Sequence, residues 1–213
     1  MDRISKRKIE IFLSKVPSFS NPILLYEQYT IMPSIAAKII WIAETVFRDI
    51  CGKTIIDLGC GTGRLLIGSL FMNPAYVIGI DIDLRAIRQA KNLIKKNMIE
   101  KYWRVDFICA DINKLCIRKR VHTVIENPPF GVHRKGYDVL FLLKAISLAD
   151  NIYTIHKYNT SIFIVRLLDK LGYRAEKIFD DEIYIPSIYQ FHRKKIHKVK
   201  ISVFRVTRGG KNE

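Results

Sequence analysis

Apolar and polar residues follow two periods along this chain, one typical of helices and one typical of buried strands. After Pro33, a residue favoured in the first turn of a helix, apolar side chains recur at helical spacing up to residue 49. Further on, short apolar runs alternate with longer amphipathic segments. This pattern predicts helices at 33–49, 64–72, 84–97, 138–149 and 159–171, and strands at 54–58, 77–81, 105–109, 122–126, 151–155, 175–184 and 198–206.

Strands that alternate with helices at this spacing form a parallel sheet with helices on both faces. No helix is predicted between the last two strands, so we expect them to pair antiparallel at an edge. The predicted fold class is α/β and Rossmann-like, with a seven-stranded, mostly parallel sheet and an antiparallel edge strand. We expect a single domain over residues 1–213, with a helical N-terminal extension at 1–50 and a flexible tail at 209–213.

A glycine-rich segment directly follows the first predicted strand. Gly59, Gly61 and Gly63 stand at two-residue steps, and glycine allows positive φ and close approach of a ligand to the backbone. A dinucleotide loop needs its third glycine three positions after the second, where this chain has arginine. The spacing is typical instead of an S-adenosylmethionine loop. Asp81 and Asp111, which follow the next two strands, are placed to accept the ribose hydroxyls and the adenine amino group of that cofactor.

A second motif, Asn127-Pro128-Pro129-Phe130, follows the fourth predicted strand. An aromatic amine is a poor nucleophile because its lone pair is delocalised into the ring. Two acceptors, Asn127 Oδ1 and the Pro128 carbonyl, can bind its hydrogens and direct the lone pair at a methyl group, while Phe130 stacks on the base. Consecutive prolines fix the carbonyl directions. The two motifs together predict methyl transfer to a planar nitrogen by positioning and exclusion of water.

The acceptor motif leaves the acceptor open. Adenine N6, guanine N2 and a glutamine side-chain amide can all use such a device, and Phe130 only slightly favours a base. A catalytically silent RNA-binding or assembly factor with a retained fold is the alternative from another class. It is disfavoured because Asp81, Asp111 and the whole acceptor motif are present together.

Basic residues outnumber acidic ones, with 36 Lys and Arg against 20 Asp and Glu and a net charge of +16. They cluster near the start of the chain, at 133–135 after the acceptor motif, and beyond residue 189, which indicates a nucleic-acid partner. No apolar run reaches bilayer length without a charge, and residues 1–6 lack the apolar core of a signal peptide, so we expect a cytoplasmic protein without a membrane partner. Without a CxxC pair, the cysteines are expected to be reduced, partly buried thiols and not a metal site: Cys51, Cys60, Cys109 and Cys116.

These motifs resemble, nearly end to end, those of the methyltransferase-like protein five family and its archaeal relatives, which are adenine N6-methyltransferases of small-subunit ribosomal RNA. The more specific matches are Leu25-Tyr26-Glu27-Gln28-Tyr29 and the run from Phe191-His192 to Lys195, because generic methyltransferases lack both. Further matches are Ile35-Ala36-Ala37, Asp57 to Gly63, Gly79-Ile80-Asp81-Ile82-Asp83, Asn127 to Gly131, Lys135-Gly136 with Asp138, His156-Lys157, and Pro186-Ser187 with Tyr189.

The resemblance implies an S-adenosylmethionine-dependent RNA (adenine-N6)-methyltransferase, to whose cofactor site the N-terminal extension contributes. The predicted cofactor residues are Gln28, Thr30, Ile31, Asp57, Gly59, Gly61, Thr62, Gly63, Arg64 (through its backbone), Asp81, Ile82, Asp111, Ile112 and Asn127. The target adenine would be held by Asn127, Pro128, Pro129 and Phe130. RNA would be contacted by Arg134, Lys135, His156, Lys157, His192, Arg193, Lys194 and Lys195.

This chain departs from the family pattern at two positions. The family usually has Thr where this chain has Ile31, and Thr30 could supply that hydrogen bond instead. Glu126 stands where an apolar residue is usual, and we expect its carboxylate to be solvated or paired with a nearby base. Eukaryotic members also depend on a small zinc-binding activator protein, so such a protein is a candidate partner here.

Overall fold

The computed structural model describes residues 4–186 and 196–209. Its α-helices are α1 (Lys6–Leu13), α2 (Pro33–Thr45), α3 (Arg64–Leu70), α4 (Leu84–Asn97), α5 (Tyr137–Leu148) and α6 (Ser161–Lys170). Its strands are β1 (Thr54–Leu58), β2 (Tyr76–Asp81), β3 (Val105–Cys109), β4 (Val121–Glu126), β5 (Ala149–Lys157), β6 (Tyr173–Pro186) and β7 (Ile196–Arg208).

All seven strands form one sheet in the order β3-β2-β1-β4-β5-β7-β6. The five neighbouring strands β3, β2, β1, β4 and β5 are parallel to one another. Strand β7 pairs antiparallel with both β5 and the edge strand β6. The predicted fold class is therefore confirmed. The strand order reverses between β1 and β4, and ligands of open α/β sheets bind at such a switch point, beside the carboxyl ends of the strands.

Helices cover both faces of the sheet, and each face buries its own apolar cluster. One cluster includes Ile9 of α1, Ile39 of α2 and Ile125 of β4. The other includes Leu142 of α5 and Ile164 of α6. Because alternate residues of a strand point to opposite faces, the inner strands are buried on both sides and read as continuous apolar runs.

Two sequence expectations need correction at the level of local structure. The helix predicted to extend to residue 49 ends at Thr45, because the Glu44 carboxylate accepts the backbone N–H groups of Ile50 and Cys51 and the chain turns there. The cysteines are free, but only Cys60 is buried and the other three are exposed.

Within 4–186 and 196–209, no helix is long and apolar enough to cross a membrane, and no group of three or more His, Cys, Asp or Glu could hold a metal ion.

Candidate active site

A cleft opens beside the carboxyl ends of β1, β2, β3 and β4, where the glycine loop and the acceptor motif meet. Residues of the N-terminal segment close one side of it. Of the predicted cofactor residues, those that line the cleft are Gln28, Thr30, Ile31, Asp57, Gly59, Gly61, Thr62, Arg64, Asp81, Ile82, Asp111, Ile112 and Asn127.

The glycine loop takes a backbone path that side chains would obstruct. Gly59 and Gly61 have φ of 76° and 51°, in the left-handed region that favours glycine. A Cβ on Gly61 would come within 2.7 Å of the Phe19 ring, and one on Gly59 within 3.0 Å of the Phe141 ring. Gly63, which the sequence analysis gave as a cofactor residue, does not line the cleft. It is the N-cap of α3, and a Cβ there would meet the Ala90 Cβ at 2.9 Å.

The carboxylate of Asp81 is oriented by two backbone donors. Its Oδ2 accepts from the Gly61 N–H at 2.7 Å and its Oδ1 from the Asp83 N–H at 2.8 Å. Burial raises the pKa of Asp81. Each carboxylate oxygen can accept a further hydrogen bond, so Asp81 fits a pair of ribose hydroxyls.

The N-terminal segment is fastened to the starts of α3 and α4, at Arg64 and at the N-cap residue Asp83. Gln28 donates from Nε2 to Asp83 Oδ2 at 3.0 Å and accepts the Ile23 N–H at 2.7 Å. The buried guanidinium of Arg64 donates to the carbonyls of Ile31 and Val16. Burial also lowers the pKa of Arg64 to about 10. The Arg64 side chain thus holds the segment in place.

The next residues of the same segment hold the acceptor motif. Glu27 accepts the Phe130 N–H on Oε2 at 2.7 Å and the His133 N–H on Oε1 at 2.8 Å. Tyr29 donates its hydroxyl to Asn127 Oδ1 at 2.8 Å, and its ring stacks on Phe130 with centroids 5.4 Å apart. The N-terminal segment is therefore bonded both to the N-cap of α4, through Gln28, and to the acceptor motif, through Glu27 and Tyr29.

Four buried polar atoms of cleft-lining residues have no hydrogen-bond partner within the described part of the chain. They are Thr30 Oγ1, Asp57 Oδ1, Thr62 Oγ1 and Arg64 Nε. Unpaired buried polar atoms are costly, so their presence in a cleft indicates that a polar ligand completes them. Asp57 Oδ2 is already occupied by the Leu66 N–H at 2.7 Å, and burial raises the pKa of Asp57 to about 7. Together with Asp81, these groups fit the amino acid and ribose parts of S-adenosylmethionine.

Glu126 is neither solvated nor paired with a base, contrary to expectation. Its side chain is fully buried, and Oε1 accepts the Thr154 hydroxyl at 2.8 Å. Thr154 Oγ1 lies 3.0 Å from His156 Nε2. Burial raises the pKa of Glu126 to about 8 and lowers that of His156 to about 4. His156 is only 1% exposed, so the prediction that it contacts RNA is wrong for this conformation.

The remaining predicted residues differ in their exposure. Pro129 lines the cleft with Asn127, whereas Phe130 is only 7% exposed and its ring stacks on that of Tyr29. Lys135 is exposed, and Arg134 lies over the Tyr26 and Tyr137 rings, at 5.5 and 4.8 Å from their centroids. Lys157 Nζ is 5.6 Å from the Phe130 centroid.

Four predicted RNA contacts, His192, Arg193, Lys194 and Lys195, lie outside the described residues. Asp111 lines the cleft as predicted, and the hydrogen bond from the Asn113 N–H lowers its pKa. Sequence reasoning left several cleft residues unassigned, among them Phe19, Glu27, Tyr29 and Phe141. The Glu-Gln-Tyr match flagged two of them, whereas the two phenylalanines gave no signal beyond hydrophobicity.

Known proteins share both the sequence and the architecture. The model of the methyltransferase small domain family matches residues 42–151. The chain is 38% identical to an uncharacterized protein of Methanocaldococcus jannaschii, over 97% of this chain and 96% of that protein. It is 32% identical to the rRNA N(6)-adenosine-methyltransferase METTL5 of Danio rerio, over 94% of this chain and 98% of that protein.

A solved structure covers the same extent. The crystal structure of a candidate RNA methyltransferase from Pyrococcus horikoshii superimposes with a TM-score of 0.84 and 31% sequence identity, over 98% of both chains. The matches extend from the N-terminal segment to the last strands and include the cleft. The chain therefore belongs to the METTL5 family and carries the S-adenosylmethionine-dependent methyltransferase fold of that family.

Proposed function

We propose that this protein methylates the N6 amino group of an adenosine in small-subunit ribosomal RNA, in the cytoplasm. One observation carries the proposal: Asn127 of the acceptor motif lines the same cleft as the glycine loop and Asp81. A methyl donor and a planar amine can therefore meet within one site. The METTL5 relative of Danio rerio, whose name specifies rRNA N(6)-adenosine, supports adenine among the acceptors that the motif allows.

Bound S-adenosylmethionine supplies an electrophilic methyl group on its sulfonium. Asn127 Oδ1 and the Pro128 carbonyl accept the two amine hydrogens and direct the lone pair at that methyl group. These two acceptors would hold the amine in place while the cofactor supplies the methyl group, and the methylated amine would release its surplus proton to water. No side chain needs to act as a strong base, so positioning and exclusion of water are the main contributions of the protein.

Tyr29 determines how Asn127 presents its oxygen. The Tyr29 hydroxyl donates to Asn127 Oδ1 and therefore fixes which end of the amide carries the acceptor. Burial raises the pKa of Tyr29 well above its ordinary value, so the hydroxyl remains a donor at all physiological pH values. The second lone pair of Oδ1 is then available to the amine.

The target base must leave its stack to reach the cleft, because a paired amine cannot approach a donor held in the sheet crevice. Arg134, which also lines the cleft, and exposed Lys135 follow the acceptor motif, and Lys157 lies beside Phe130. We assign these three side chains to the phosphates around the flipped nucleotide.

The outer edge of β3 fits a partner protein of the zinc-binding activator type. Among the described strands, β3 pairs with β2 alone. Apolar side chains on or just before that strand are exposed, with Ile108 at 37% and Trp103 at 66%. An unpaired strand edge with apolar side chains is suited to β-augmentation. Ile108→Lys should weaken a complex with such an activator, and Leu171→Lys at the C-cap of α6 is the matched control, both measured by calorimetry.

The function is tested by incubating the full chain with labelled S-adenosylmethionine and deproteinised ribosomal RNA. Small-subunit and large-subunit RNA are supplied separately, with nucleoside mass analysis and mapping of the modified position. We expect N6-methyladenosine at one position of small-subunit RNA. Label in guanosine or in large-subunit RNA would overturn the proposed acceptor.

A further inference from the structure

The two last strands project beyond the rest of the sheet. The pairing of β5 with β7 ends at Lys157 and Ile201, whereas β6 and β7 remain paired through Glu182–Lys200 up to Pro186–Ile196. Five residue pairs therefore extend past β5, a length of about 17 Å at about 3.3 Å per residue. We call this part of β6 and β7, residues 182–186 and 196–200, the ribbon. The parallel strands β4 and β5 have their carboxyl ends on the same side of the sheet, so the ribbon projects on the side that carries the acceptor motif.

The two faces of the ribbon differ in character. Ile183 and Ile201 point inward and are almost fully buried, at 2% and 0% exposure. Ser202 is hydrogen-bonded to Ser161 of α6, and Lys200 and Lys198 follow on the same side at two-residue steps. Both lysines are exposed on that side.

Two tyrosines stand among these lysines. Tyr184 is 52% exposed and pairs in register with Lys198. Tyr158, which directly follows β5, is 40% exposed, and Lys200 Nζ lies 3.8 Å from its ring centroid. Lys177 Nζ lies 5.7 Å from the same ring. We call this surface the ribbon face and define it by Tyr158, Lys177, Tyr184, Lys198 and Lys200.

The ribbon face begins next to the acceptor motif. Lys157 Nζ is 5.6 Å from the Phe130 ring centroid, and Tyr158 is the next residue along the chain. Two carboxylates of β6 lie on the same side as these lysines, and each is already paired. Glu182 is 2.7 Å from Lys198, and Asp180 is 3.1 Å from Lys177. An anionic ligand that tracks this face meets more positive than negative charge.

We propose that the ribbon face binds single-stranded RNA adjacent to the target nucleotide. Exposed aromatic rings stack on unpaired bases of any sequence, and interspersed lysines bind the phosphates. The ammonium group over the Tyr158 ring is placed to contact the phosphate of a base that stacks there. This inference deepens the proposed function and rests on it, because it names an unpaired flank as the substrate element held outside the cleft.

The test uses the full chain and a fluorescein-labelled, short single-stranded oligoadenosine, with binding followed by anisotropy. Replacing Tyr158 and Tyr184 by Ala should weaken binding about 5-fold to 150-fold per ring, whereas replacing both by Phe keeps the rings and should change affinity less than about 2-fold. Lys198→Gln with Lys200→Gln should reduce the log–log salt slope by about 1.4, at about 0.7 per contact on single strands.

Matched controls are Lys91→Gln with Lys96→Gln, two exposed lysines of α4, which should leave affinity and salt slope unchanged. Unchanged affinity in the Ala variants, equal losses in the α4 controls, or tighter binding of a duplex of the same length would each overturn the ribbon inference. Thermal melts of the Ala and Phe variants separate a binding defect from a folding defect.

Methylation assays separate this inference from the proposed function. The Ala variants should need more RNA to saturate but reach the wild-type single-turnover rate. If wild-type protein methylates adenosine and the Ala variants saturate at the wild-type RNA concentration, only the ribbon inference fails. If the ribbon variants lose oligoadenosine binding while wild-type protein never methylates adenosine, only the proposed function fails.

Discussion

Replacing Glu27 by Gln tests whether the N-terminal segment holds the acceptor motif in its active geometry. The Glu27 carboxylate accepts two backbone N–H groups of that loop, from Phe130 at 2.7 Å and from His133 at 2.8 Å. An amide retains only one acceptor oxygen, and its NH2 group then faces the other N–H. At least one charge-assisted hydrogen bond is therefore lost, which costs about 1.5 to 3 kcal/mol.

This free energy lowers the ratio of ordered to disordered loop by a factor of about 10 to 150. If Asn127 acts only from the ordered conformation and the two forms are close in free energy, the single-turnover rate of RNA methylation should fall by up to that factor. The rate is measured with enzyme in excess and saturating cofactor, and calorimetry reports cofactor affinity separately. Glu100→Gln, an exposed acid that precedes β3, is the matched control. A Glu27→Gln rate within about 2-fold of wild type would refute the reasoning, because the lost bond would then not govern the loop.

Four further outcomes are expected. Asp81→Ala should weaken S-adenosylmethionine binding by about 2 to 3 kcal/mol in calorimetry, and unchanged affinity in a folded variant would remove Asp81 from the site. Asn127→Ala should slow single-turnover methylation about 10²- to 10³-fold with nearly intact cofactor binding, and a near-normal rate would contradict the chemistry assigned to the motif. Because the pKa of Asp57 is about 7, its carboxylate becomes protonated below that pH, so affinity for the cationic cofactor should fall as pH drops through 7 and Asp57→Asn should abolish this dependence. Because the pKa of Glu126 is raised from 4.5 to about 8, the folded state binds the extra proton and the free energy of unfolding should fall as pH rises from 4.5 to 8, by at most about 5 kcal/mol; denaturant melts of Glu126→Gln should lack this decline.

Local sequence pattern was sufficient for most of the framework. The predicted bounds of β1, β3 and α4 coincide with the observed ones, because each segment has a clear apolar period and flanking turn or capping residues. The glycine spacing and Asp81 likewise indicated a cofactor cleft, since the carboxyl ends of parallel strands must meet at one edge of the sheet.

Contacts between distant parts of the chain were decided only by the tertiary structure. Glu27 and Phe130 are 103 residues apart, and no periodicity connects a loop residue to a backbone N–H at that separation. His156 is a second residue whose environment the local sequence pattern does not predict. A histidine next to a lysine at a strand end reads as a surface residue, but the His156 side chain is buried on the face of β5 that it shares with Thr154.

The sequence by itself determined the α/β sheet, the cofactor loop and the acceptor motif, because these depend on residue type and short-range spacing. Tertiary structure alone decided that three consecutive residues, Glu27, Gln28 and Tyr29, connect the acceptor motif to the N-cap of α4. It also decided that the β6–β7 ribbon projects beside the acceptor motif. The physical reason is that the length of a strand depends on its local sequence. How far one strand extends past its neighbour depends on the register in which the two strands pair.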